Sequence, residues 1–232
     1  MAIYPDVSVN QPHRIALTAF LLGSVMGLFL GLIKFVHLKA FDFYMAALAL
    51  FHFLEYYTTA KYNPSQTTED SFLLSNGIEY LLCHSFAILE CLLEYMFLPH
   101  WKADMSSLSH FIVVSLGYTF IIVGQIARTM VMRTAGQSFS HTVRTSRGEG
   151  HVLVKNGIYQ WSRHPSYFGF FWWAVGTQMI MLNPLSLVIF ATVLWKFFRQ
   201  RIKFEENYLL RFFGRDYYDY KNSVPVLIPF IA

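Results

Sequence analysis

Residues 166–195 read SYFGFFWWAVGTQMIMLNPLSLVIFATVLW, a run of 30 positions without a charged side chain. One helix needs roughly 20 mostly apolar residues to cross a hydrocarbon core of about 30 Å, so this run is longer than a single span requires. Asn183-Pro184 interrupts it near the middle. Because proline removes a helical hydrogen bond and biases its predecessor away from helix, we predict a hairpin of two membrane helices whose outer ends lie on one side.

The composition of the whole chain agrees with a membrane protein. Of its 232 residues, 55% are hydrophobic and 14% are charged, whereas the charged fraction of a soluble domain is about 25%. The net charge of +4 comes from Lys and Arg in short connections beside apolar runs. Such a distribution is typical of cytoplasmic loops and does not suggest a nucleic-acid partner. We therefore predict an all-α, polytopic membrane bundle of about six to eight transmembrane helices.

Further apolar runs predict the other spans, which lie at residues 15–33, 40–57, 71–98 and 108–132. A signal peptide would have a small-residue cleavage site after its apolar run, but the first run here is followed by Lys34. We therefore expect this run not to be cleaved and to form the first span. Residues 71–98 form either one tilted helix or a shorter hairpin, with Asn76-Gly77 as a possible break.

Several ionisable side chains fall within these runs. Acids at membrane depth are costly and normally face a bundle interior or a wet cavity. Glu90 and Glu94 are one helical turn apart, and we expect structural pairing, with a direct catalytic role as the alternative. Cys83 and Cys91 lack a paired CxxC spacing, which favours buried thiols. No His, Cys, Asp and Glu spacing makes a convincing metal site, so we predict that no metal is bound.

The hydrophilic segments should meet on the cytoplasmic side. Arg163 precedes the hairpin, and a basic group follows it: Lys196, Arg199, Arg201 and Lys203. By the positive-inside tendency, both hairpin ends face the cytoplasm. The tail after residue 195 alternates aromatic and basic residues as in an interfacial helix, and Gly214 is a plausible C-cap.

Common soluble nucleotide and hydrolase motifs are absent, because the chain contains no Walker loop, HExxH or GxSxG and no GxGxxG after a predicted strand. Three polar elements remain: HVLVKNGIYQW at 151–161, RHPSYFG at 163–169, and the pair Arg201 and Glu205. The runs GIYQWSRHPSYFGFFWWAVGTQ (157–178) and RQRIKFEENYLLRFFGRDYYDYKNSVP (199–225), with PFI at 229–231, resemble the C-terminal half of the isoprenylcysteine carboxyl methyltransferase family. The resemblance covers roughly residues 136–232.

This resemblance implies a reaction. It implies S-adenosylmethionine-dependent methylation of the C-terminal carboxylate of farnesylated or geranylgeranylated cysteine in processed CaaX proteins such as small GTPases. The products would be a methyl ester and S-adenosylhomocysteine, without a metal. It also implies a multi-pass protein of the endoplasmic reticulum membrane whose active site faces the cytosol. A single membrane domain over 1–232 would then comprise N-terminal spans at 1–132 and a cofactor-binding catalytic half at 133–232.

The same resemblance implies the site residues. Arg201 would be the substrate-side arginine, and Arg201 and Glu205 would be catalytic. At Arg144 the family often has glutamine, so a cofactor contact there would use the backbone or differ in character. The other implied cofactor contacts are His151, Val152, Leu153, Val154, Tyr159, His164, Pro165, Ser166, Tyr167 and Glu205.

Elementary chemistry is consistent with these roles. A C-terminal carboxylate has a pKa of about 3.3 to 3.7, so it is already ionised at neutral pH and needs no general base. The arginine fork binds a carboxylate bidentately and stays charged. Pro165 in a first helical turn should leave free N–H groups at Ser166 and Tyr167, which attract an anion. The purely structural alternative for Arg201 and Glu205 is an ordinary i,i+4 ion pair on a solvated helix.

Other functions remain open at this stage. Sterol reductases resemble the RHP and tail motifs but use NADPH in longer chains. A phospholipid N-methyltransferase would share the cofactor and use an amine acceptor, and a non-catalytic lipid-binding or transport protein is a third alternative. The aromatic residues of 168–173 are lipid-facing or core by default, and a minority of them would line a prenyl route.

Overall fold

A computed structural model describes residues 11–35, 38–103, 106–147 and 151–232, and the regular elements in these ranges are all helical. The all-α prediction is confirmed. The helices are α1 (Pro12–Leu32), α2 (Lys39–Tyr62), α3 (Ile78–Phe97), α4 (Pro99–Ala103), α5 (Leu108–Ala135), α6 (Pro165–Ile180), α7 (Pro184–Phe213) and α8 (Arg215–Ser223), with short 3-10 turns at 64–66, 69–72, 136–138 and 157–160.

Three of these helices are long and apolar enough to cross a membrane by length and composition alone. They are α1, α3 and α5, the last counted together with the turn that follows it. α6 has only 16 residues, and the second half of α7 is charged. The count of about six to eight spans therefore stays a prediction. The uncertain run at 71–98 contains one helix, α3, which starts after Gly77 at a φ of 91°.

The predicted helical hairpin is present, and the crossing of the membrane by its two helices stays a prediction. α6 ends at Ile180 and α7 starts at Pro184, so the chain reverses at the Asn183-Pro184 step. α7 continues beyond the apolar run to Phe213, where Gly214 adopts a φ of 53° and its N–H bonds to the Leu210 carbonyl oxygen, as expected of the predicted C-cap.

Buried polar contacts hold the hairpin tip. The Glu90 carboxylate of α3 accepts hydrogen bonds of 2.8 and 2.7 Å from two backbone N–H groups in the first turn of α7. Lys102 Nζ lies 2.6 Å from Glu94 and also donates to two carbonyl oxygens of the turn before α7. An acid at a helix N-terminus satisfies donors that have no intrahelical partner. The structural interpretation of Glu90 and Glu94 is thus confirmed.

Close packing of α5 against α6 brings the two halves of the chain together. A Cβ added to Gly124 would lie 2.5 Å from the Gly169 carbonyl oxygen, and one added to Gly117 would lie 2.9 Å from the Gly176 carbonyl oxygen. Only glycine allows such an approach of two helix backbones. As a result, the polar end of α5 reaches the first turn of α6.

Candidate active site

A cavity of about 110 Å³ lies among the 138–140 and 151–154 segments, the start of α6, the second half of α7 and α8. Ten of the eleven residues predicted to contact a cofactor line it. They are His151, Val152, Leu153, Val154, Tyr159, His164, Pro165, Ser166, Tyr167 and Glu205.

The eleventh, Arg144, does not line this cavity. Its guanidinium donates a 2.7 Å hydrogen bond to the Gln137 carbonyl oxygen. Burial lowers the pKa of His151, and the positive charges of Arg144 and Arg147 lower it further. Arg144 is thus near His151 without lining the cavity, and a direct contact to a cofactor stays a prediction.

His151 offers a free polar atom to a bound molecule. Its Nδ1 is buried and has no hydrogen-bond partner among the residues described. The imidazole is neutral at pH 7, since its pKa is lowered. A buried polar atom without a partner is costly, so a ligand that hydrogen-bonds there would remove the penalty.

The start of α6 differs in part from the prediction. Tyr167 N–H donates a 3.0 Å bond to the His164 carbonyl oxygen, so the expectation that this N–H is free is wrong. The first turn closes on itself through a 3-10 type bond, which is common at helix ends. Ser166 still lines the cavity.

The Tyr167 hydroxyl joins Arg201 to Glu205. Arg201 Nε donates to this oxygen at 2.9 Å, and the hydroxyl in turn donates to Glu205 Oε2 at 2.7 Å. A second nitrogen of Arg201 donates to the His141 carbonyl oxygen. The simple i,i+4 ion pair is therefore replaced by a bridge through a phenol, which fixes the orientation of the guanidinium.

Arg201 faces a second, open cavity of about 490 Å³. The apolar part of its wall comes from Val143 and from Phe197 and Phe204 of α7. The aromatic run of α6 does not line it: Phe171 and Trp173 are 5% and 1% exposed and belong to the core. The apolar surface beside Arg201 is thus supplied by α7, which the sequence did not indicate.

Sequence reasoning missed a charged cluster behind the first cavity. Glu206 is buried and lies 2.7 Å from Arg163, 3.2 Å from His164 and 2.5 Å from Lys221. Burial would raise the pKa of Glu206, but hydrogen bonds from His164, Lys221 and Arg163 lower it to about 2. The carboxylate thus ties the segment before α6 to α7 and α8. The adjacent acids Glu205 and Glu206 were a signal that one of them faces inward.

A buried pair in the N-terminal half was also missed. Arg128 of α5 donates to Glu55 of α2 at 2.7 Å. It also donates to Ser166 Oγ at 2.6 Å. Among the described residues no group of three or more His, Cys, Asp or Glu could hold a metal ion, and the metal-free reaction stays a prediction.

Comparison with known proteins agrees with this geometry. The sequence model of the isoprenylcysteine carboxyl methyltransferase (ICMT) family matches residues 116–211. The protein-S-isoprenylcysteine O-methyltransferase of Saccharomyces cerevisiae is 54% identical over 228 residues, covering 98% of this chain and 95% of that protein. The Homo sapiens protein of the same name is 40% identical and covers 94% of this chain and 75% of its own length.

A solved structure of a eukaryotic intramembrane Ras methyltransferase, ICMT, superimposes with a TM-score of 0.88 at 38% identity, covering 94% of this chain and 77% of that one. The similarity extends over the N-terminal helices as well as the polar motifs. The chain therefore belongs to the isoprenylcysteine carboxyl methyltransferase family.

Proposed function

We propose that this protein transfers a methyl group from S-adenosylmethionine to the C-terminal carboxylate of a prenylated cysteine. The observation that carries the proposal is the placement of Arg201. Its guanidinium faces an open, partly apolar cavity and is bridged by Tyr167 to the wall of a polar cavity. An anion on a lipid tail and a water-soluble donor would meet at this junction.

The chemistry of the residues that line the first cavity suits a nucleoside-bearing amino acid. His151, with its unpartnered Nδ1, and the backbone of 152–154 would hold polar groups. Tyr159 offers an aromatic face, and Glu205 offers an anion to an ammonium or hydroxyl group. When bound, S-adenosylmethionine supplies an electrophilic methyl group on a sulfonium.

Arg201 would orient the nucleophile. A guanidinium has five N–H donors, and the structure uses Nε for Tyr167 and one terminal nitrogen for the His141 carbonyl oxygen. The remaining donors can bind a carboxylate. Because that carboxylate is already ionised at neutral pH, no side chain needs to remove a proton. Catalysis then consists of aligning the two reactants and excluding water. When the geometry is good, these effects lower the activation barrier by about 7–11 kcal/mol.

The prenyl chain supplies binding energy. Val143, Phe197 and Phe204 offer apolar surface beside Arg201. Burial contributes about 0.8 kcal/mol per CH₂-sized unit, so a farnesyl or geranylgeranyl group binds without help from the attached protein sequence. Processed CaaX proteins such as small GTPases would be accepted by their lipidated end.

The location proposed is the endoplasmic reticulum membrane, with the site open to the cytosol. The basic residues at both outer ends of the α6–α7 hairpin support this orientation, since positive charge is retained on the cytoplasmic side. The polar cavity lies at that end of the hairpin.

A methyl-transfer assay tests the function. Purified protein in lipid nanodiscs is incubated with methyl-labelled S-adenosylmethionine and N-acetyl-S-farnesylcysteine, N-acetylcysteine or a lysophospholipid amine. We expect a base-labile methyl ester on the farnesylated acceptor alone. Label in the amine, or no labelled ester on the farnesylated acceptor, would refute the proposal.

A further inference from the structure

A buried ion pair joins α2 to α5 next to the candidate site. The side chains of Glu55 and Arg128 are 1% and 7% exposed, and two nitrogens of the guanidinium contact the two carboxylate oxygens. Burying two charges costs several kcal/mol per ion, and apolar residues of similar size often stabilise a core at least as well. Stability alone is therefore a weak explanation for this pair.

One end of the pair holds the wall of the polar cavity. The third nitrogen of Arg128 donates to Ser166 Oγ at 2.6 Å and lies 3.4 Å from the Ser166 carbonyl oxygen. Ser166 lines that cavity in the first turn of α6. The guanidinium, fixed by the Glu55 carboxylate, thus determines where this turn lies.

The other end reaches Arg201 through His141. The imidazole Nδ1 lies 3.9 Å from Glu55 Oε2, and Nε2 lies 3.0 Å from Thr59 Oγ1, one turn later on α2. The backbone carbonyl oxygen of His141 accepts a hydrogen bond from Arg201. Glu55 is thus near a group on each side of the site: its carboxylate binds Arg128 directly, and it lies 3.9 Å from His141, whose hydrogen bond is to Thr59.

We infer that Glu55 and Arg128 form a positioning unit for the reaction. Arg128 sets Ser166 at the cofactor wall, and Thr59, one turn after Glu55 on α2, holds His141, whose carbonyl oxygen orients Arg201. This inference rests on the proposed function and gives the N-terminal helices a part in catalysis. A displacement of about 1 Å at the reacting centre, caused by a remote substitution, can reduce the rate about 100-fold.

The first experiment compares Glu55→Gln with Glu94→Gln. Glu94 is the matched control, because it is also an acid of the N-terminal helices paired with one cation, Lys102, at the hairpin tip. Calorimetry measures the Kd of S-adenosylhomocysteine for the free protein, and steady-state kinetics gives KM for N-acetyl-S-farnesylcysteine. We expect both to rise about tenfold in Glu55→Gln. In Glu94→Gln the thermal stability should fall while both constants stay at wild-type values.

A double variant separates positioning from stability. Glu55→Leu with Arg128→Met removes both buried charges, so thermal stability should recover to near wild type. The Kd of S-adenosylhomocysteine should nevertheless stay raised, because Ser166 has lost its donor. A purely structural pair would recover both properties together.

Thr59→Val is the milder variant for use if Glu55→Gln does not fold. It removes the hydrogen bond to His141 and a bond to the Glu55 backbone carbonyl within α2, and it leaves the Glu55–Arg128 pair in place. KM for the farnesylated acceptor should therefore rise while the Kd of S-adenosylhomocysteine is unchanged. If the wild type is active and the folded variants keep its KM and Kd, the inference is overturned while the proposed function stands. A wild type that forms no methyl ester would instead refute the proposed function.

Discussion

Replacing Tyr167 with phenylalanine removes one oxygen from the junction of the two cavities. The hydroxyl accepts from Arg201 Nε at 2.9 Å and donates to Glu205 Oε2 at 2.7 Å. The ring itself stacks with His164 and Phe198 at centroid distances of 5.5 and 5.0 Å, and phenylalanine keeps these contacts. The protein should fold, while Arg201 and Glu205 lose the group that joins them.

The expected size of the effect follows from these two bonds. A hydrogen bond to a charged group contributes about 1.5–3 kcal/mol. The Glu205 side chain is 28% exposed and can be rehydrated, so the lower value applies to each bond. Together they give about 3 kcal/mol, so a fall in kcat/KM of at most about 100-fold is expected if this free energy serves to position Arg201 and Glu205 in the transition state.

Methyl ester formation on N-acetyl-S-farnesylcysteine measures this loss. Tyr218→Phe is the matched control, because Tyr218 is 57% exposed on α8 and should keep wild-type turnover. Thermal unfolding of both variants confirms that they are folded. Wild-type kcat/KM in folded Tyr167→Phe would refute the phenol bridge as a functional contact.

Two further predictions concern stability. Gly124→Ala places a Cβ 2.5 Å from the Gly169 carbonyl oxygen and should lower the free energy of unfolding by about 1–3 kcal/mol. Gly23→Ala is the control and should be neutral, because nothing lies within 4 Å of its added Cβ. Equal melting temperatures of the two variants would contradict the α5–α6 packing. Burial, with the charges of Arg128 and Arg201, lowers the pKa of His141 to about 3. Because the unfolded chain then binds more protons, stability should fall as pH drops below about 6.5, and less so in His141→Gln. A pH profile identical in wild type and His141→Gln would show that this histidine does not contribute.

Features carried by local sequence were predictable. The proline after Asn183 fixes the hairpin tip whatever surrounds it, since the ring removes a hydrogen bond in any context. The cavity wall was predictable because HVLV at 151–154 and RHPSY at 163–167 are each uninterrupted segments. A resemblance of such short motifs therefore identifies all of their residues at once.

Features that depend on long-range partners were not predictable. Arg128 and Glu55 are 73 positions apart, and Arg163 and Glu206 are 43 apart. Sequence shows that a charge at membrane depth needs a partner, but not which partner the packing supplies. The bridge through Tyr167 was not predicted, since Tyr167 is distant in sequence from Arg201 and Glu205. The i,i+4 spacing of Arg201 and Glu205 suggested direct contact between them instead.

The turnover of Arg201→Ala tests the central claim most directly. Lys203→Ala is the control, because Lys203 lies on the exposed face of the same helix. We predict that folded Arg201→Ala, like Glu205→Ala, forms no methyl ester on N-acetyl-S-farnesylcysteine, whereas Lys203→Ala is as active as wild type. Near-normal activity of Arg201→Ala would contradict the assignment of this arginine as the group that holds the acceptor carboxylate.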